Sequence, residues 1–258
     1  MAIKYSTGLV DFLMQNGSFK RAFFNGELQV RTGSQPATAD TAVSGTLLCT
    51  YTSAAGARTA EILPTGSITL ASGAAGSVNT ITVDGHEIMG AAVAFNATLA
   101  QTATDVATQI NKFCSRGTAE YTAAAVSTKV TITAVRGSGN IAGVVVATCT
   151  TITTTDVNVG TESAGTTPVN GLPFGTSASG VLSKDGTWSG AAVANGTGGW
   201  YRLLGSVTDA GGAGGTTAIR MDGTVGTSGS DLVLPTTTYV SGNTYTIDTA
   251  TFTLPLTA

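Results

Sequence analysis

Apolar and polar residues alternate with period two along much of the chain, the pattern of strands with one face buried. Leu28 and Val30 alternate with Glu27, Gln29 and Arg31, and Val130 and Ile132 alternate with Thr131 and Thr133. Tyr245, Ile247, Thr249, Thr251 and Thr253 fall on one parity. The pattern predicts strands at 27–31, 45–52, 80–83 with a return at 86–88, 120–126, 129–135 and 141–151. It predicts five more at 188–193, 199–206, 218–225, 231–234 and 244–254.

Helical spacing shows in two places. Leu9, Phe12 and Leu13 form a stripe that Ser6 or Thr7 can cap and Asn16-Gly17 can stop. A second short helix from Phe19 to Phe24 follows Ser18 and is stopped by Asn25-Gly26. The strongest helix carries Leu99, Ala103, Val106, Ala107, Ile110, Phe113 and Cys114 at spacings of three and four, with Arg116-Gly117 at its end. Thr102 and Asp105 fit the capping pattern there.

These elements sort into a discontinuous arrangement. Residues 1–70 hold too few strands for a core of their own, so they pair with 165–258 in one β-sandwich. Residues 77–160 read as an inserted α+β module, flanked by Gly-rich stretches that let its ends approach. The expected fold is mainly β: a β-sandwich with a small inserted α+β module and short N-terminal helices.

Composition narrows the function classes. The 258 residues include 47 Thr, 36 Ala and 34 Gly, and only 10% are charged. Twelve Lys and Arg against fifteen Asp and Glu leave no cationic surplus for a nucleic-acid groove. No apolar run approaches the ~20 residues of a membrane-spanning helix. The opening residues lack the layout of a secretory signal, which predicts synthesis in a cytoplasm. Cys49, Cys114 and Cys149 then read as reduced thiols, with a Cys114–Cys149 disulfide as the alternative. So few charges suit a protein packed in an assembly better than a free monomer.

Candidate chemistry is sparse, and no catalytic, cofactor-binding or metal-ligating residue is assigned. Asp84-Gly-His-Glu87 contains acid–base and ligand groups, but Asp-Gly is also a hairpin turn signal. His86, the only histidine, has no nucleophile motif to serve. The glycines of 211–215 lack the strand-before, helix-after context of a phosphate loop. Asp222 and Asp231 read as turn residues rather than a glycosidase pair. The candidate interaction residues are aromatic. Phe12, Phe19, Phe23 and Phe24 crowd the N-terminal segment, as sheet packing or as a docking arm for a neighbouring subunit. Trp200 and Tyr201 lie on opposite sides of one strand, as a core Trp with an outward Tyr or as a carbohydrate platform.

Several motifs carry a family likeness. Near the N-terminus they are Ser6-Thr-Gly-Leu9, Gly17-Ser-Phe-Lys20, Asn25-Gly-Glu-Leu28, the loop 32–40 and Gly45-Thr-Leu-Leu48. Towards the C-terminus they are 178–184, Thr187-Trp-Ser-Gly190, 195–202 and 223–231. With these the chain resembles small structural proteins of tailed bacteriophages, over roughly 1–52 and 175–254. The middle module, with Ile81-Thr-Val-Asp-Gly85 and its Thr102-x-x-Asp105 helix, resembles a small domain of phage tail and virion proteins. The resemblance implies a non-enzymatic, multi-copy virion component, made in the host bacterial cytoplasm and associated with the tail or neck. Its partners would be other virion proteins and copies of itself, with no nucleic acid, cofactor or membrane span. Capsid decoration on the head and a glycan-binding tail module are the alternatives, with a wall-degrading enzyme behind both.

Overall fold

A computed structural model describes residues 3–15, 17–114, 121–215 and 217–253. The expected stops at Asn16 and Arg116-Gly117, Glu120 at the start of a strand and Leu254 at the end of the last one lie outside these residues. The chain divides into two compact units, 1–60 with 168–258, and 61–167. The fold is mainly β, with antiparallel sheets in both units and few helices.

The first segment contributes β1 (Lys4–Tyr5), α1 (Thr7–Gln15), α2 (Phe19–Phe23), β2 (Glu27–Arg31) and β3 (Leu47–Ser53). Ser6, rather than Thr7, caps α1: its Oγ accepts from the Leu9 N–H at 3.2 Å and from the Arg220 N–H at 3.0 Å, and donates to the Ala218 carbonyl at 2.6 Å. Thr7 instead donates its N–H and hydroxyl to Asp40. Ser18 caps α2 through the Arg21 N–H. Asn25 sits at φ +61°, the left-handed stop anticipated for an Asn-Gly pair.

The middle unit holds β4 (Thr65–Ser72), β5 (Ser77–Val83), β6 (His86–Glu87), β7 (Val93–Ala94) and α3 (Leu99–Cys114). It continues with β8 (Tyr121–Val126), β9 (Lys129–Ala134), β10 (Val145–Thr150) and β11 (Thr153–Val157). They form two four-stranded sheets, one of β10–β5–β6 with β7 also on β5, the other β11–β4–β9–β8. Val106, Ala107 and Ile110 of α3 pack into one core with Ile68, Ile81, Val130 and Ile132. The helix is capped one turn earlier than the Thr102–Asp105 pattern suggests. Thr98 Oγ1 accepts from the Gln101 N–H at 3.1 Å, while Thr102 is buried and bonds back to the Thr98 carbonyl.

Residues 61–70 belong to this middle unit and not to the N-terminal segment as expected. β4 lies between β9 and β11, so its small Gly66 and Ser67 are buried along with Ile68. A strand with two large apolar residues among Thr, Ser and Gly shows little pattern until its neighbours are known. Thr59 bridges Val169 in the outer unit, and Ile62 bridges Thr166 in the middle one, so each unit holds together the two chain passages at its boundary.

The last segment supplies β12 (Val181–Ser183), β13 (Trp188–Ala191), β14 (Gly196–Thr197), β15 (Trp200–Leu204) and β16 (Arg220–Gly226). β17 (Leu232–Val233), β18 (Thr238–Tyr239), β19 (Thr244–Ile247) and β20 (Thr251–Thr253) complete it. The outer unit's main sheet has eight strands in the order β1–β16–β15–β2–β3–β13–β19, with β17 parallel to β16. Two ribbons, β12–β20 and β14–β18, accompany it. The single strand expected over 244–254 is thus two. β19 pairs with β13, and the chain then leaves the sheet so that β20 pairs with β12. Uniform Thr alternation on both sides of Asp248 conceals that change of partner.

Register sorts the main sheet into two faces. Tyr51, Leu28, Leu203 and Met221 stand side by side on one, within the apolar core. On the other, Thr50, Gln29, Arg202, Asp222 and Lys4 form the adjacent row. This second face is charged and yet buried, because the loops 32–45 and 206–215 lie over it: Pro36, Ala39 and Thr41 carbonyls accept from Lys4, Arg220 and Arg202.

Candidate docking pocket

Sheet edges come first, because an open edge is where another chain can add a strand. In the middle unit the chain's own side chains close two of them, at β8 and β10. Asn111 bonds both backbone groups of Ala123 on β8, each at 2.8 Å. Asp84, Asn158 and Asp156 accept from the N–H groups of Val144, Val145 and Ala147 beside β10. Nothing in the sequence marks Asn111 or Asp156 for this, since Asn111 reaches from α3 to β8 and Asp156 from β11 to the preceding strand only once these elements are packed.

The outer unit is different. Its edge strand β1 borders a pocket of about 440 Å³. Ile3 and Tyr5 line one side, Phe19 and Lys20 of α2 another, and Leu182 with Phe252 of the β12–β20 ribbon a third. Tyr201 and Met221 come from the main sheet, and the polar lining includes Ser18, Ser177, Ser179 and Asp231. Phe19 anchors the wall, its ring 4.9 Å from Phe23 and 5.0 Å from Phe252.

The six aromatic candidates separate here. Phe19 and Tyr201 line the pocket. Phe23 is fully buried beneath Phe19 and Phe12 is half-buried against the same core. A Cβ on Gly17 would lie 1.9 Å from the Phe12 ring, so the glycine makes room for it. Phe24 is 38% exposed and carries the Lys20 ammonium 5.9 Å from its ring centre. Trp200 is fully buried, with the Arg202 guanidinium 5.5 Å from its ring centre, so it forms no exposed carbohydrate platform. Nor does Tyr201 face outward: it is 3% exposed, its ring lying over Gly223 of the neighbouring strand, where a Cβ would clash at 2.5 Å. Both faces of the strand are covered, so opposite parity does not separate core from surface.

Burial pushes the Tyr201 phenol well above its ordinary value, and the charges of Asp231 and Asp222 and the nearby Tyr5 push it the same way. It therefore stays neutral and serves as a hydrogen-bonding group rather than a base. Asp231 Oδ2 is occupied by the N–H and hydroxyl of Thr224. Aromatic walls, a neutral phenol and serine hydroxyls suit binding of an apolar or aromatic group.

The remaining sequence candidates are structural. Asp84 and Gly85 take φ +50° and +78° in the hairpin turn, His86 is exposed, and Glu87 Oε1 accepts from the N–H groups of Met89 and Gly90. Cys49, Cys114 and Cys149 form no disulfide among the described residues, and burial pushes Cys49 up to about 12. Asp222 belongs to a buried ion pair and is no turn residue. Among the described residues no group of three or more His, Cys, Asp or Glu is placed to hold a metal, and no helix is long and apolar enough to cross a membrane. Sequence reasoning missed Leu182, Met221 and Phe252 in the pocket; Phe252 sat in what read as the continuation of one strand. Comparison with protein-family models, curated proteins and solved structures finds no match.

Proposed function

We propose that this chain is a non-enzymatic structural component of a tailed bacteriophage virion, present in several copies in the tail or neck. One observation carries the reading. The two stretches that resemble phage structural proteins, 1–52 and 175–254, are separated by more than a hundred residues, yet together they supply the strands of the eight-stranded sheet. The likeness therefore follows a structural unit, which supports common ancestry over chance similarity in Gly- and Thr-rich sequence. The middle unit contributes no strand to that sheet.

Assembly is the activity this reading assigns. The pocket beside β1 receives an apolar or aromatic side chain of a neighbouring virion protein, while the side chains that close β8 and β10 of the middle unit keep those two edges from pairing at random. The test is cryo-electron microscopy of the intact particle. Density for this chain in a ring or spike on the tail axis is the expected result. Density over the head lattice would make it a decoration protein, and absence from the particle would overturn the proposal.

A further inference from the structure

The charged face of the main sheet holds a second constellation, on the opposite side of β15 and β16 from the pocket's Tyr201 and Met221. Arg202 is fully buried and bonds Asp222 through Nε at 2.8 Å and Nη2 at 2.7 Å, with Nη2 also on the Thr41 carbonyl at 3.1 Å. Its Nη1 is buried without a hydrogen-bond partner. So are Trp200 Nε1, Arg31 Nε and both amide atoms of Gln35. Buried donors are nearly always satisfied, so a group of them left open calls for an occupant.

Register brings them to one place. Arg31 is the cross-strand partner of Trp200, and Arg202 lies two residues on, over the Trp200 ring. Gln35 is set above them by its neighbours in the loop. The Gly33 carbonyl presses on Gly199, within 2.1 Å of where a Cβ would stand. The Pro36 carbonyl accepts from Lys4 at 2.6 Å, and Lys4 is the register partner of Asp222. Gln35, between those two points, lies across β15 and β16.

The open set is donor-rich, with nitrogens on Arg31, Gln35, Trp200 and Arg202 against one acceptor, Gln35 Oε1. It also carries a positive excess. Arg202 is paired by Asp222, Arg220 by Asp209 and Arg58 by Glu27. Among the described residues Arg31 bonds only the uncharged Gln29 Oε1 and Gly45 carbonyl. Burial and the facing charge of Arg202 lower the Arg31 pKa, as expected for a cation with no counter-charge.

We propose that Arg31, Gln35, Trp200 and Arg202 enclose a binding site for one small monovalent anion, of halide size, with chloride as the ion available in solution. The anion accepts from the open N–H groups and supplies the missing counter-charge. Because Gln35 belongs to the covering loop and the other three to the sheet, the ion clasps the loop 32–45 onto the sheet.

The test uses the full chain. Thermal unfolding is followed by Trp fluorescence in sodium chloride and in sodium methanesulfonate at equal ionic strength, for the natural protein and for Gln35→Ala. The expected result is a melting point a few degrees higher in chloride for the natural protein, with that difference largely lost in Gln35→Ala. Equal melting points in the two salts, or a difference the variant retains in full, would overturn the proposal. Crystals soaked in bromide provide the second measurement. An anomalous peak within hydrogen-bonding reach of Trp200 Nε1 and Arg202 Nη1 is expected; ordered water there without bromide would sink the anion reading.

Discussion

Replacing Arg202 by Met strips the Asp222 carboxylate of both its charge-assisted bonds while keeping most of the side chain's bulk. Both residues are at 0% exposure, so no solvent replaces what is lost. Two hydrogen bonds to charged groups, at about 1.5–3 kcal/mol each, set the scale of the loss. That agrees with the ~3–5 kcal/mol for breaking one side of a buried pair. Burial already pushes Asp222 above the ordinary carboxylate range even with Arg202 in place. Without the guanidinium it rises further. A carboxyl whose folded pKa is raised costs stability once the pH exceeds its unfolded value of about 4, and the cost grows until the folded pKa is passed. The Arg202→Met deficit should therefore be largest near pH 7 and shrink as the pH falls towards 4. Urea unfolding read by Trp fluorescence is the assay. Trp188 and Trp200 are the only two tryptophans, both buried in the outer unit, so the signal follows that unit alone. The double variant Arg202→Met, Asp222→Leu removes both charges and should recover much of the loss. A single-variant cost under about 1 kcal/mol, the level of an exposed pair, would refute the reasoning, as would a deficit that does not change with pH.

Other perturbations read other parts of the fold. Burial alone would raise Asp209, but the Arg220 bonds, the Gly211 N–H and the charges of Arg220 and Arg202 hold it below the ordinary carboxylate range. Its contribution is present above about pH 4 and lost as the pH falls through the folded value, so Asp209→Asn should flatten the acid limb of the outer unit's stability curve. Glu61, 1% exposed, accepts from the Gly137 N–H at 2.9 Å and the Gly139 N–H at 3.0 Å. Glu61→Ala should speed hydrogen exchange at those two amides by at least tenfold and lower middle-unit stability by about 1–3 kcal/mol. A side chain at Gly190 would stand 2.1 Å from the Thr50 carbonyl, so Gly190→Ala should cost about 1–3 kcal/mol by Trp fluorescence through the strain of overpacking. Thr253→Arg, at an exposed position on the pocket's wall, should change stability by less than about 0.5 kcal/mol while reducing incorporation into particles, measured by quantitative blotting of purified virions.

Much of the local structure was legible. Ser18 before Phe19, Asn25-Gly26 after Phe23, and Asp84-Gly85 between β5 and β6 carry backbone preferences that act over a few residues. The α3 stripe and the Leu28–Val30 alternation likewise state which face is buried. β4 and the β19–β20 break were not legible, because Thr, Ser and Gly fit the middle of a sheet, an edge or a bend equally well. The pocket was half legible: Phe19 and Tyr201 stood out as aromatics, whereas Met221 and Leu182 became lining only through the pairing of strands far apart in sequence.

The division between the two levels is physical. Sequence by itself determined the mainly β character, the short N-terminal helices and the insertion of an α+β unit, because propensity, capping and hydrophobic period are local. It could also place Trp200 and Arg202 on the same side of one strand, two residues apart. Only the tertiary structure decided that this side is buried, since the cover comes from loops 32–45 and 206–215, and the strand's own pattern does not say which face they fold over. A charged strand face ordinarily signals solvent; here Asp222 and Asp209 compensate Arg202 and Arg220. Sheet register brings Asp222 to Arg202 across 20 residues and loop closure brings Asp209 to Arg220 across 11, while the carbonyls that cover the two guanidiniums come from 161 and 181 residues away, and no local pattern encodes that.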